Sequence, residues 1–79
     1  MTEYRTVRHR LKELRKKKGT QEQVGMALGV TGTMIRLVEN GYTTGSGNLM
    51  IRLCRYVGGT VEECFPDVHQ SSISYLNSK

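Results

Sequence analysis

The sequence predicts an all-α domain built from five short helices. Three observations carry that expectation. Apolar residues recur at helical spacing in one segment after another, Gly or Asn-Gly closes most of those segments, and the body of the chain shows no convincing strand pattern. At 79 residues the chain makes one small domain. The hydrophobic share of 37%, together with nine glycines, lies in the ordinary globular range and excludes a wholly disordered chain. No uninterrupted apolar run approaches the roughly 18 residues of a membrane span. Met1-Thr2-Glu3-Tyr4-Arg5 has no apolar run behind it, so no secretory signal is expected and the cytoplasm is the expected compartment.

The first helix is expected from Thr6 to Lys18. Val7, Leu11 and Leu14 fall at i, i+4 and i+7, with Tyr4 one turn earlier, and the basic residues take the opposite face. Gly19 stops it after a last turn of lysines. Thr20, with Gln23 three residues on, has the arrangement of a capping box for a second helix over Gln21 to Leu28, with Val24, Ala27 and Leu28 inward. Gly29 suits the left-handed residue that ends a helix. Thr31 then caps a third helix reaching Glu39, with Ile35 and Val38 inward, and Asn40-Gly41 stops it.

Tyr42 to Gly47 reads as a polar loop. Ser46 or Asn48 caps a fourth helix, in which Met50, Leu53, Cys54 and Val57 repeat at i, i+3, i+4 and i+7 before Gly58-Gly59. Thr60 caps a short fifth helix, Val61 to Phe65, closed by Pro66. Residues 1–69 form the domain, and residues 70–79 form a polar tail with four serines, expected to be flexible. Ile73 and Tyr75 alternate with polar neighbours there, so a short strand formed with a partner stays open.

Charge points to a class of partner. The net charge of +5 is uneven: residues 1–18 carry eight basic residues against Glu3 and Glu13, whereas residues 56–79 carry Lys79 against Glu62, Glu63 and Asp67. A basic end on a small domain is the footprint of a polyanion. Lys16-Lys17-Lys18 also reads as a solvated helix end that complements the helix dipole, so charge alone leaves both open. Cys54 and Cys64 stand ten apart, and His9 and His69 are isolated, which is no zinc spacing; both cysteines fall on apolar stripes as buried, reduced thiols. No nucleophile with a nearby base, Gly-rich phosphate loop or paired carboxylates stand out. The chain is not expected to be an enzyme or to carry a cofactor or metal.

The informative segment is Gln21 to Asn40. Two short helices meet at a turn centred on Gly29. Gly25, at the fifth position, is small enough for two helix backbones to approach. Val24, Leu28, Val30, Ile35 and Val38 supply the apolar set that fixes their crossing. That is a helix-turn-helix, whose second helix presents its N-terminal end to the major groove of DNA.

These residues resemble the Cro/lambda-repressor-like family of helix-turn-helix proteins, the XRE type. The likeness runs from about Arg10 to Asp67 and rests on Thr20-Gln21-Glu22, Leu28-Gly29-Val30-Thr31, Ile35, Val38-Glu39-Asn40-Gly41 and the closing Val61-Glu62-Glu63-Cys64-Phe65. It implies a five-helix DNA-binding domain, commonly a homodimer on a palindromic operator that regulates transcription. It further implies that Gln21 bonds a backbone phosphate, that Thr31, Thr33, Arg36 and Leu37 lie where bases are read, and that Asn40, Tyr42, Thr43 and Thr44 touch the phosphate strand. Lys16, Lys17 and Lys18 add cations for the same strand. Arg15 and Glu39 match a pair that ties the first helix to the end of the third; two separate surface charges are the alternative.

Two departures from the family pattern stand out. Thr20 follows Gly19 directly, where an apolar residue usually intervenes, so the first connection is short. Gly32 occupies a position where many relatives place a long polar reader, which thins the base-reading surface. Arg36 suits guanine or a phosphate, the Thr methyls and Leu37 suit thymine methyls, and Met34 and Leu37 also suit packing or a protein-binding face. Two readings follow. The first is a small transcriptional repressor or regulator on double-stranded DNA, dimerising through the fifth helix (Val61, Cys64, Phe65) or Ile73–Leu76, with recognition helices about 34 Å apart. The second is an antitoxin-like or anti-repressor module that keeps the scaffold and binds a protein partner.

Overall fold

The computed structural model describes residues 6–68. The N-terminal Tyr4 and the tail at 70–79, with Ile73, Tyr75 and the Ile73–Leu76 stretch, lie outside the described residues. The described chain is all-helical, with α1 at His9–Lys16, α2 at Gln21–Leu28, α3 at Gly32–Glu39, α4 at Gly47–Val57 and α5 at Val61–Cys64. Residues 66–68 are again helical.

Side-chain caps set the starts of four helices. Thr20 and Thr60 each complete a capping box, with Gln23 and Glu63 respectively, while Thr31 accepts from the Met34 N–H and Ser46 from the Leu49 N–H. Each cap satisfies an N–H that would otherwise lack an intrahelical acceptor. Ser46, rather than Asn48, therefore starts α4.

The first helix is shorter at both ends than the expected Thr6 to Lys18. Its N-cap is Arg8, which makes no side-chain cap bond. Instead the Arg8 N–H donates to the Glu39 carbonyl at 2.7 Å, which draws the chain off the helical path toward α3. At the other end Lys17 and Lys18 donate to Leu14 and Arg15, a tightened last turn. The short connection is met by Gly19, whose φ of +148° and contact with the Gln23 side chain leave no room for a Cβ.

The core is one cluster: Leu11 and Leu14 from α1, Val24 and Leu28 from α2, Ile35 and Val38 from α3, Leu49, Leu53, Cys54 and Val57 from α4, and Cys64 and Phe65 at the end of α5. Three expectations are corrected. Ala27 is exposed, because Val24 and Leu28 already fill the narrow inward face of an eight-residue helix. Leu49, not Met50, leads the buried stripe of α4, and Met50 is half-buried beside it. Cys64 and Phe65 are fully buried in the domain's own core, so Val61 is the one apolar residue of α5 left for a second subunit. The basic face of α1 is also not uniform: Arg8 and Arg15 are both buried.

Candidate nucleic-acid interface

The α2–α3 unit is the most closely packed pair of helices, and glycine makes it so. A Cβ on Gly25 would stand 2.8 Å from the Val30 carbonyl oxygen and 2.9 Å from that of Thr31. The turn itself uses Gly29, in the left-handed conformation, with the Val30 N–H donating back to the Gly25 carbonyl at 2.8 Å. The result places the first turns of two helices side by side. They line an open cleft of about 390 Å³ formed by Gln21, Glu22, Thr31, Gly32, Thr33 and Arg36.

This cleft joins two helix N-termini with exposed polar side chains. Thr20 and Thr31 cap the third N–H of their helices, which leaves the first N–H groups of α2 and α3 without intrahelical acceptors. Such groups favour phosphate. Thr31, Thr33 and Arg36 are exposed along one side of α3. The Thr31 hydroxyl oxygen is engaged as the cap, accepting from the Met34 N–H at 3.1 Å. Glu22, absent from the sequence-based set, joins the cleft wall and adds a negative charge beside Arg36. Its adjacency to Gln21 in the first turn of α2 is the signal that marks it.

Gly32 acquires a different meaning in three dimensions. A Cβ there would meet the Glu22 Cα at 3.0 Å and N at 3.1 Å, so the residue lies against the backbone of α2. The glycine lets the two N-terminal turns close on each other, rather than simply lacking a reader. Met34 is half-buried and packs on the core, and Leu37 is half-buried, so the apolar share of the exposed α3 face is small.

The end of α3 is held by charges. Arg15 donates from Nε to Glu39 Oε2 at 2.6 Å and from Nη2 to Oε1 at 3.0 Å, and from Nη1 to the Gly19 carbonyl at 3.0 Å. The Gln21 side chain, expected at a phosphate, donates to Glu39 Oε1 at 3.1 Å. The structure thus brings Arg15, Gln21 and Glu39 into one buried junction that joins α1, α2 and α3. Beyond it, the Gly41 N–H donates to Val38 and the Tyr42 N–H to Leu37, a Schellman ending with Gly41 at φ +83°.

The loop after α3 places Tyr42 outward and Thr43 and Thr44 half-buried. The Thr43 hydroxyl oxygen accepts from the Gly45 N–H at 3.0 Å, and the Thr44 hydroxyl donates to the Gly45 carbonyl at 3.0 Å. Asn40 is half-buried at the helix end. Lys16, Lys17 and Lys18 are exposed, with the Lys18 ammonium 5.9 Å from the centre of the Tyr56 ring on α4. Lys18 therefore leans toward α4.

Two tight eight-residue helices, a glycine turn and an exposed second-helix N-terminus define a helix-turn-helix DNA-binding domain. The helix-turn-helix family model matches residues 11–64, more than half of the chain, and the chain belongs to that family, the XRE type with Cro/lambda-repressor-like architecture. Searches of curated proteins and of solved structures returned no match.

Proposed function

We propose that this chain is a transcriptional regulator, a small repressor that binds a palindromic operator as a homodimer through the major groove. The observation that carries the reading is the cleft in which the first turns of α2 and α3 meet the exposed Thr31, Thr33 and Arg36. Phosphate contacts by helix N-termini, the loop after α3 and exposed lysines supply affinity. Thr33 and Arg36 supply base contact, and DNA shape supplies the rest of the selectivity. The small exposed apolar area on α3 favours a phosphate-lined groove over a protein partner.

Selection of bound duplexes from a random pool, at near-physiological salt, tests this. The expected result is an enriched palindrome with half-sites about one helical turn apart, 34–36 Å. Retention without enrichment would leave only backbone binding. No retention would overturn the reading in favour of a protein-binding module.

A further inference from the structure

Arg8 precedes α1 and is only 2% exposed, although it sits in the most basic part of the sequence. Its guanidinium uses four of its five N–H donors. Nε and Nη2 grip the two Asp67 carboxylate oxygens at 3.1 and 2.8 Å, while Nη1 donates to the Val38 carbonyl at 2.5 Å and the Thr43 carbonyl at 2.9 Å. The group also lies 4.8 Å from the centre of the Phe65 ring. One side chain thus joins the segment after α5, the last turn of α3 and the loop that follows it.

The Thr43 bond has a directional consequence. A trans peptide is planar, so the Thr44 N–H points opposite to the Thr43 carbonyl. With that carbonyl turned inward to Arg8, the Thr44 N–H is turned away from it. We infer that Arg8, oriented by Asp67, is a positioning residue for the DNA-facing loop: it fixes the 43–44 peptide so that a backbone donor faces the phosphate strand. The inference rests on the DNA-binding reading above. A buried, carboxylate-paired guanidinium neutralises no phosphate itself, so its effect reaches DNA only through the loop.

Asp67→Asn, which keeps shape and removes the charge that orients the guanidinium, is the test. Three measurements are made: amide hydrogen exchange of the free protein, affinity for a mixed-sequence duplex of about 20 base pairs, roughly two helical turns, and the salt dependence of that affinity. Exchange at Gly45, whose N–H is held inside the loop, is expected to speed up. Affinity is expected to fall about threefold to tenfold, the worth of one net hydrogen bond. The salt slope is expected to stay unchanged, because no cation–phosphate contact is lost. Arg8→Lys is expected to resemble Asp67→Asn, since a single ammonium lacks the planar fork that serves carboxylate and carbonyls together. Val57→Ala, at the far end of α4 from the loop, is the control: it lowers stability and leaves affinity intact under conditions where the protein is folded.

Unchanged loop exchange in Asp67→Asn overturns the proposal, as does an equal affinity loss in Val57→Ala. A slope made steeper by about one unit in Asp67→Asn would mean that the freed Arg8 guanidinium takes a phosphate itself, and would overturn it too. If the unmodified protein binds no duplex, the DNA-binding reading fails and takes the phosphate role with it. Loop exchange in the free protein then still decides whether Arg8 holds the loop.

Discussion

Glu39 is fully buried at the end of α3, and its carboxylate is met by a two-point grip from Arg15, with Nε at 2.6 Å and Nη2 at 3.0 Å. Breaking such a pair differs from deleting a surface ion pair, because the surviving charge stays where water cannot reach it. Arg15→Ala is expected to cost about 3–5 kcal/mol, a large share of a small domain's stability. Replacing both partners together, Arg15→Met with Glu39→Leu, is expected to cost much less than the two single changes added. Urea unfolding of the singles and the double checks this; single losses no larger than the ~1 kcal/mol of an exposed pair would show that the junction is solvated.

Gly25 and Gly47 separate two uses of glycine. An added Cβ at Gly25 would stand 2.8 Å from a backbone carbonyl in the turn, whereas at Gly47, the first residue of α4, nothing lies within 4 Å. Ala is the better helix former in both places, so any difference reports the space around them. Gly25→Ala is expected to destabilise by about 1–3 kcal/mol, as overpacking does. Gly47→Ala is expected to stabilise by up to about 1 kcal/mol, through lost freedom of the unfolded chain. Melting temperatures moving in opposite directions would confirm the contrast, and equal losses would sink it.

What the sequence made legible was whatever depends on near neighbours. Thr20 with Gln23, Thr31, Thr60 and the stops at Gly29 and Asn40-Gly41 act within a few residues, and α2, α3 and α5 begin where those residues place them. The start of α1 escaped because it is decided by the Glu39 carbonyl, distant in sequence. Arg8 escaped for the same reason: among so many cations an arginine reads as solvated, and its partners Val38, Thr43 and Asp67 come together only on folding. Ala27 and Met50 sit beside true core positions, where a small rotation of the helix decides which neighbour is covered. Gly32 shows the same limit at the cleft, since its closeness to Glu22 belongs to the packing of two helices and to neither helix alone.

The buried thiols predict an alkaline weakness. Burial, reinforced by neighbouring Cys54, pushes the Cys64 thiol up to about 12, from a model-compound value of 9.0. Between those values the unfolded chain releases a proton that the folded chain retains, so stability from this group is intact below about pH 9 and is lost as pH rises toward 12. The maximum slope for one such group is about 1.4 kcal/mol per pH unit. Cys64→Ala is expected to be less stable at neutral pH, because it leaves a cavity, but to lose stability less steeply above pH 9. Denaturation midpoints from pH 8 to 11 would check the slopes; parallel curves for the two proteins would exclude Cys64 as a source of alkaline sensitivity.

Arg36 decides how the proposed interface reads sequence. It is exposed on α3, lines the cleft beside Thr31 and Thr33, and is the one long polar side chain that α3 contributes to that wall. A guanidinium there suits a two-point contact with guanine, whereas Lys16 and Lys17, exposed at the end of α1, suit phosphates. The two roles leave different signatures. Arg36→Ala is expected to cost about 1–3 kcal/mol on the selected site, to relax preference at one base pair of each half-site, and to bring specific binding nearer to non-specific. Lys17→Ala is expected to weaken every duplex alike and to lower the salt slope by about one unit per subunit. Repeating the duplex selection with each variant, alongside salt titrations, separates them. If Arg36→Ala keeps the base preference and lowers only the slope, Arg36 is a phosphate clamp, and selectivity falls to the two threonines and the shape of the DNA.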